Sequence, residues 1–394
     1  MSPASRTSRL NTFLDSYTKD LTAEDLQRLF TRDTRDAYRF FTRGLDADAL
    51  ARLPWHKRLA AEIRVLFMAF SMKLSPARRV VFGGALLLAA VGLLNLWRGF
   101  GIIEMGRLPF VSIGLPGPVF QPGTWSLLLA FALMNLLVLL EVADRLSLKN
   151  DLEIARDIQQ AMLPSGVYSA LGVETVGVSR PANTVGGDFY DILPLQDGRL
   201  VVAVGDVAGK GSPAALLMAL LLAMMRTLVD EQLEPADLVA RLNVQVCRHA
   251  PRSRFITLFY GVYEPASGAL TYVSAGHMPP LLLRADGSCD RLTDGGIALG
   301  MFERSTYTTG RAMLQGGDLV AVYSDGITEA ENPGGRPFDE VGLEAALRLH
   351  AFDALTAIGA GVVAAVERHT DEKRFADDLT VLLLRRTAPA GAGV

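Results

Sequence analysis

Four short acidic motifs carry the chemistry in this chain. They are Gly186-Gly187-Asp188-Phe189-Tyr190-Asp191, Gly205-Asp206-Val207-Ala208-Gly209-Lys210-Gly211, Ser324-Asp325-Gly326-Ile327-Thr328-Glu329 and Ala376-Asp377-Asp378-Leu379-Thr380. Each sets an aspartate at the end of, or just ahead of, an apolar strand-like run, and three place glycine beside the acid. Any one of these aspartates alone reads equally well as a turn or helix-cap residue; their joint occurrence points to a site. Strand ends that converge on one rim bring such carboxylates together, and a buried carboxylate cluster is costly unless cations neutralise it. An all-oxygen donor set suits Mg²⁺ or Mn²⁺ rather than zinc. The pattern predicts a hydrolase working with two divalent cations. It needs no protein nucleophile, and the chain has neither a cysteine–arginine phosphate loop nor an Asp-X-Asp-X-Thr/Val motif.

Strands must carry those acids. Apolar runs read as strands at 173–179, 188–195, 199–206, 255–263, 270–274, 281–284, 319–324 and 379–385. Asp197-Gly198, Ala266-Ser267-Gly268 and Asp286-Gly287 are turn signals that fold neighbouring runs into hairpins. Helices are expected at 213–229, 235–249, 340–349 and 352–369. Hairpins interspersed with helices predict an α+β fold, with antiparallel sheets covered by helices. The run 214–225 is apolar enough to suggest a membrane span, but it is short. It also starts at Ser212-Pro213, a cap with proline in the first turn, and reads as a core helix.

In order, spacing and flanks the four motifs resemble the SpoIIE/RsbU-type branch of the metal-dependent PPM protein serine/threonine phosphatases. The segment Leu152-Glu153-Ile154-Ala155-Arg156-Asp157-Ile158-Gln159-Gln160-Ala161-Met162-Leu163-Pro164 and Ser274-Ala275-Gly276-His277-Met278-Pro279-Pro280 extend the likeness over residues 152–386. The resemblance implies two antiparallel sheets stacked face to face with helices on both outer faces. It implies two Mn²⁺ or Mg²⁺ ions, and catalysis by Asp188, Asp206, Asp325 and Asp377 through a metal-activated water. By position, Asp206 would bridge both ions with help from the carbonyl of Val207. Asp188 would hold the second ion, and Asp325 and Asp377 the first. The family ligand is the first acid of an Asp-(Asp/Asn)-hydrophobic-Thr group, which selects Asp377 over Asp378. Asp378, Gly187, His277 and Arg180 are further candidates.

Gly186 and Gly187 are expected to permit close backbone approach, and Gly209 and Gly211 a sharp turn into the next helix. Lys210 reads as solvated. His277 stands where phosphatases outside this branch carry an aspartate for a third ion; here it reads as a strand-edge histidine bonded to backbone. The run Asn332-Pro333-Gly334-Gly335-Arg336-Pro337-Phe338-Asp339 departs from the family's Asn-Pro-X-Gly followed by Phe-Gly, which marks a flap of different conformation. The implied substrate is a phosphorylated protein partner in bacterial signalling, such as an anti-sigma-factor antagonist.

Half of the 394 residues are hydrophobic and the net charge is −3, which excludes a disordered chain and gives no electrostatic basis for nucleic-acid binding. Cys247 and Cys289 lack metal spacing and read as ordinary thiols. No apolar stretch lies near Met1, so no cleaved signal peptide is expected. The uncharged runs 80–97 and 125–140, edged by Trp97-Arg98 and Trp125, predict a transmembrane hairpin in contact with lipid. Core helices are normally amphipathic, whereas these runs are apolar all round. Lys73, Arg78 and Arg79 precede the first run, and Arg145 and Lys149 follow the second. Positive-inside bias therefore places both termini and the catalytic domain in the cytoplasm, as a multi-pass protein of the cytoplasmic (inner) membrane.

The expected organisation is a cytoplasmic helical region over 1–78, the hairpin over 79–141, a helical linker over 142–164, the phosphatase domain over 165–387 and a loose tail over 388–394. The stretch 55–74 suits a helix lying on the membrane. The loop inside the hairpin is too short for a sensor domain. Leu148, Leu152, Ala155, Ile158 and Met162 form one apolar stripe on the linker, which reads either as packing on its own catalytic domain or as a parallel helix pair in a homodimer, the latter being expected. Two other readings compete: a metal phosphoesterase for a small phosphorylated molecule, and a silent binding module built on the same fold.

Overall fold

A computed structural model describes residues 54, 67–68, 71, 74–98, 100–108, 111–118, 125–251, 253–371 and 375–387. The expectations for most of the N-terminal region and for the tail lie outside these residues. The chain divides into two compact units, Met1–Leu146 and Ser147–Val394.

In the first unit, α1 (Pro76–Arg98) is followed by strands β1 (Phe100–Leu108) and β2 (Val111–Pro118), then by the start of α2 (Trp125–Met162). The loop expected between the apolar runs is thus a two-stranded antiparallel hairpin with an irregularity between Glu104 and Gly106. Its prolines and glycines mask a β-branched core of the segment, and a two-stranded ribbon is all edge, where proline is tolerated. Both helices are long and apolar enough to cross a membrane. Leu87, Leu93, Trp97, Leu128, Phe131 and Leu139 are all exposed on them. Within this unit Gly92 faces Leu127, where a Cβ would clash, and Arg78 donates to Asp144 Oδ2 at 2.7 Å.

The second unit takes in the end of α2 and then runs β3 (Tyr168–Ala170), β4 (Val173–Arg180), β5 (Phe189–Pro194), β6 (Leu200–Val207), α3 (Ser212–Val229) and α4 (Pro235–His249). Strands β7 (Ile256–Glu264), β8 (Ala269–Ala275), β9 (Leu281–Leu283), β10 (Cys289–Arg291), β11 (Gly295–Gly296), β12 (Gly310–Met313) and β13 (Leu319–Tyr323) follow. The unit closes with α5 (Asp325–Thr328), α6 (Asp339–Leu349), α7 (Leu355–Thr370) and β14 (Leu379–Arg386). One sheet has the order β10-β9-β13-β14-β4-β3 and the other β11-β8-β7-β6-β5, with β12 also on β8. All pairings are antiparallel except the two-residue β11–β8 contact.

Three cores separate four layers. Alternating residues of β6 serve two of them: Val201 and Ala203 face α3 and α4, while Leu200, Val202 and Val204 face the other sheet. On the far side Val381 and Leu383 of β14 meet α6 and α7, and Leu382 and Leu384 point back between the sheets. Strands buried on both faces read as continuous apolar runs, which explains their visibility in the sequence. The helix α3 is also long and apolar enough to span a membrane. Instead Ala214, Met218, Leu221, Leu222 and Met225 are fully buried against the sheet. The family resemblance thus anticipated the arrangement of layers: two stacked sheets flanked by helices.

Candidate metal centre

The acids gather where strands of both sheets end. Asp206 is the next-to-last residue of β6, an interior strand paired with β5 on one side and β7 on the other. Asp188 immediately precedes β5, Asp325 opens α5 directly after β13, and Asp377 and Asp378 immediately precede β14. Ser324 and Thr380 lock the last two together: Ser324 N–H donates to Thr380 O at 3.0 Å, and Thr380 N–H to Ser324 Oγ at 3.0 Å. Beyond Asp206 the chain turns sharply. Gly209 and Gly211 have φ of 106° and 76°, left-handed values that favour glycine. Arg254 Nη1 fixes the turn by donating to Ala208 O at 2.6 Å.

The carboxyl groups press on one another electrostatically. Burial pushes Asp188 well above the usual carboxylate range and the charge of Asp206 adds to this, while the Ser324 and Thr380 hydroxyls oppose it. Asp206 is raised to about 6, first by burial and then by Asp325, with a hydrogen bond from Asp188 working the other way. Asp325 is raised by burial, then by Glu329 and Asp377. Gly187 is seated on the same oxygens: a Cβ there would lie 2.8 Å from Val207 O and 3.1 Å from Asp206 Oδ1.

The adjacent acids Asp377 and Asp378 have different surroundings. Asp378 is buried, and its carboxylate accepts from Ala182 N–H at 2.8 Å and Gly187 N–H at 2.7 Å. Asp377 is half-exposed, with Lys210 Nζ 2.9 Å from its Oδ2. Lys210 also donates to Ala376 O at 2.8 Å, so it is held rather than freely solvated. A cleft of 530 Å³ opens beside these residues, lined among others by Lys210, Glu329, Asn332, Phe375 and Asp377.

His277 is buried, with Nδ1 3.0 Å from Thr257 Oγ1, and Thr257 is the ladder partner of Asp206. Burial lowers its pKa to about 4, opposed weakly by the Tyr323 carbonyl, so it is neutral at physiological pH. Arg180 does not join the cluster; its guanidinium reaches Glu367 at 3.4 Å on the surface.

Two residues that the sequence does not single out, Gln159 and Arg226, support the site. Gln159, buried on α2, pairs with both backbone polar groups of Gly186: its Nε2 donates to Gly186 O at 2.9 Å and its Oε1 accepts from Gly186 N–H at 3.1 Å. Arg226 of α3 forks onto the buried Asp191 of β5 at 2.8 and 3.0 Å and donates to Met162 O at 2.7 Å. A polar residue on a helix and a basic residue near a helix end carry no special signal; only the fold brings them to their partners.

The donor set consists of oxygens alone, Asp188 Oδ2 is buried without a hydrogen-bond partner, and the acids raise one another's pKa. These features fit hard divalent cations. Among the described residues no three acidic, histidine or cysteine side chains stand close enough together to hold one ion. A cation held by Asp377 Oδ2 would have to displace Lys210 Nζ from it.

Comparison with known proteins follows this geometry. Residues 196–387 match the family model for Stage II sporulation protein E (SpoIIE). Protein IcfG of Synechocystis sp. is 29% identical over 277 residues, 64% of this chain and 43% of IcfG. Phosphoserine phosphatase RsbU of Bacillus subtilis is 29% identical over 240 residues, 61% of this chain and 71% of RsbU. The chain thus spans less than half of IcfG. The SiaA-PP2C domain of Pseudomonas aeruginosa superposes with a TM-score of 0.55 at 22% identity, covering 62% of this chain and 98% of that domain. That likeness bears on the fold.

Proposed function

We infer, from the match of residues 196–387 to the family model for Stage II sporulation protein E and the likeness to phosphoserine phosphatase RsbU, that this chain is a metal-dependent protein serine/threonine phosphatase of bacterial signalling. The observation that carries the reading is the convergence of Asp188, Asp206, Asp325 and Asp377 at one rim, with a buried carboxylate oxygen of Asp188 left without a partner. Asp188, Asp206, Asp325, Asp377 and the Val207 carbonyl would hold two Mn²⁺ or Mg²⁺ ions. Bound there, such ions neutralise phosphate oxygens and lower the pKa of a water toward neutrality. The chain's own part is to place the acids and to keep Asp206 and Asp325 ionised once a cation offsets their repulsion. Asp378 holds the Asp188 loop, and His277, neutral and buried, orients Thr257 beneath Asp206.

The substrate proposed is a phosphoserine- or phosphothreonine-bearing protein, in keeping with RsbU being named a phosphoserine phosphatase. An anti-sigma-factor antagonist is the partner we propose, with α1 and α2 as a membrane hairpin leaving both termini and the catalytic domain cytoplasmic. Leu148 and Ile158 are exposed on α2, which supports a homodimer through that helix. The deciding experiment is Mn²⁺-dependent turnover of a phosphoserine protein, compared with nucleotides and p-nitrophenyl phosphate. A clear preference for small molecules would move the chain to the metal phosphoesterases, and no turnover of any substrate to the silent binding modules.

A further inference from the structure

The segment from 181 to 188 delivers Asp188 to the cluster, yet among the described residues no backbone–backbone hydrogen bond ties it between the end of β4 and the start of β5. Two side chains hold it instead. Asp378 takes the N–H groups of Ala182 and Gly187. Gln159 takes both the N–H and the carbonyl of Gly186, two residues from Asp188. The amide side chain of Gln159 thus acts like a one-residue piece of neighbouring strand, supplied by a helix. Gly186 is confined from the other side as well, because a Cβ there would collide with the Asp378 carboxylate. Gln159 is itself 8% exposed, so both bonds are largely shielded from bulk water.

We propose that Gln159 is a positioning residue for the metal centre: its two-way clasp on Gly186 sets where Asp188 stands and so sets the affinity for divalent cations. This rests on the reading of the acids as metal ligands. Outer-shell groups that orient a ligand are worth about 10–100-fold in metal affinity. An apolar residue at this position leaves both polar groups of Gly186 buried and unpaired, and the loop must move to rehydrate them. Position 159 lies one turn before the end of α2, so displacement of this part of the helix acts on Asp188 without touching any ligand.

The test compares full-length chain, purified in detergent, as wild type, Gln159→Leu, Gln159→Asn and Gln159→Glu. Leu removes both bonds, Asn keeps the chemistry but falls a methylene short, and Glu keeps only the acceptor for Gly186 N–H. Calorimetric Mn²⁺ titration is expected to show about tenfold or greater weakening for Leu and Asn and a smaller loss for Glu. Without added metal, amide exchange at Gly186–Asp188 is expected to speed up in Leu and Asn, while exchange in β6 and β7 stays slow. A drop in thermal stability with unchanged Mn²⁺ affinity and unchanged local exchange overturns the proposal and leaves Gln159 as packing. Should wild type bind no Mn²⁺, the metal reading fails, and with it the role of Gln159 toward cations; local exchange then reports the clasp alone. If Leu and Asn do not fold, Glu carries both measurements, with wild-type affinity and exchange in Glu counting against the proposal.

Discussion

At the scale of single residues, the proposed site combines candidate ligands with groups that hold them in place, and the two kinds are expected to answer differently to substitution. Asp206→Asn and Asp325→Asn each remove a charged donor, and each is expected to cut Mn²⁺-dependent phosphoserine hydrolysis by about two orders of magnitude or more. Near wild-type kcat at saturating Mn²⁺ in either variant would show that its acid is not a ligand. Stability should move the other way. The Asp206 carboxyl has its folded pKa raised from 3.8 to about 6, so the folded state binds this proton more tightly than the unfolded chain does. Its contribution is fully present below about pH 3.8 and is lost as pH rises through about 6. In EDTA, Asp206→Asn should therefore melt above wild type at pH 7.5, with the advantage shrinking toward pH 5. Thermal scans at the two pH values check this, and a constant offset would contradict it. The neighbours Asp377 and Asp378 separate in the same assay. Asp378→Asn turns an amide group toward the N–H groups it now accepts from and should lower Tm. Asp377→Asn, on a half-exposed residue, should leave Tm nearly unchanged and weaken Mn²⁺ binding. In the sequence these two acids are distinguished only by family likeness, because their environments come from loops folded around them. Gln159 was not legible at all: on a helix surface a glutamine is an ordinary residue.

At the scale of elements, legibility followed burial. The strands β4 to β8, β13 and β14 show as apolar runs because both faces are covered, and Asp197-Gly198 and Ala266-Ser267-Gly268 mark the turns of real hairpins. The short β11 and β12 were invisible, since Gly295-Gly296 and Gly310–Met313 carry no alternation and are recruited by the edge of β8. The helix expected from position 352 starts at Leu355 instead, leaving Phe352 97% exposed in the preceding turn. The helix α3 shows how packing decides what composition leaves open. Met218→Ala or Leu222→Ala should cost about 2–5 kcal/mol in denaturant unfolding. Leu216→Ala, on a side chain 71% exposed, should change stability by no more than about 0.5 kcal/mol. Arg226→Met strands the buried Asp191 without its partner, a loss of about 3–5 kcal/mol. If Arg226→Met proves neutral, the Arg226–Asp191 fork is not what joins α3 to β5.

For the whole molecule, the proposed hairpin topology has a direct test. A cysteine at Ser112, in β2, should react with impermeant maleimide added to intact spheroplasts, whereas cysteines at Ser2 and Ala390 should not. Release of the chain by carbonate without detergent would count against a spanning protein altogether. The likeness of the second unit to the SpoIIE family was readable because its acidic motifs follow one another in a fixed order. The role of residues 1–78 was not readable, since nothing in their pattern names a ligand. Within the catalytic unit, the four acids differ in how firmly they are mounted. Asp206 rides on a strand bonded along both edges, and Asp325 and Asp377 flank the β13–β14 pairing. Asp188 stands in a loop hung on side-chain tethers. Mg²⁺ demands near-octahedral oxygens at about 2.0–2.1 Å, so mechanical slack at a single donor penalises it more than a cation with tolerant geometry. With these acids as the ligands, as proposed, the preference of the centre among chemically similar ions would be a matter of stiffness, set by how tightly the Asp188 loop is strung, while the identity of the donors stays the same.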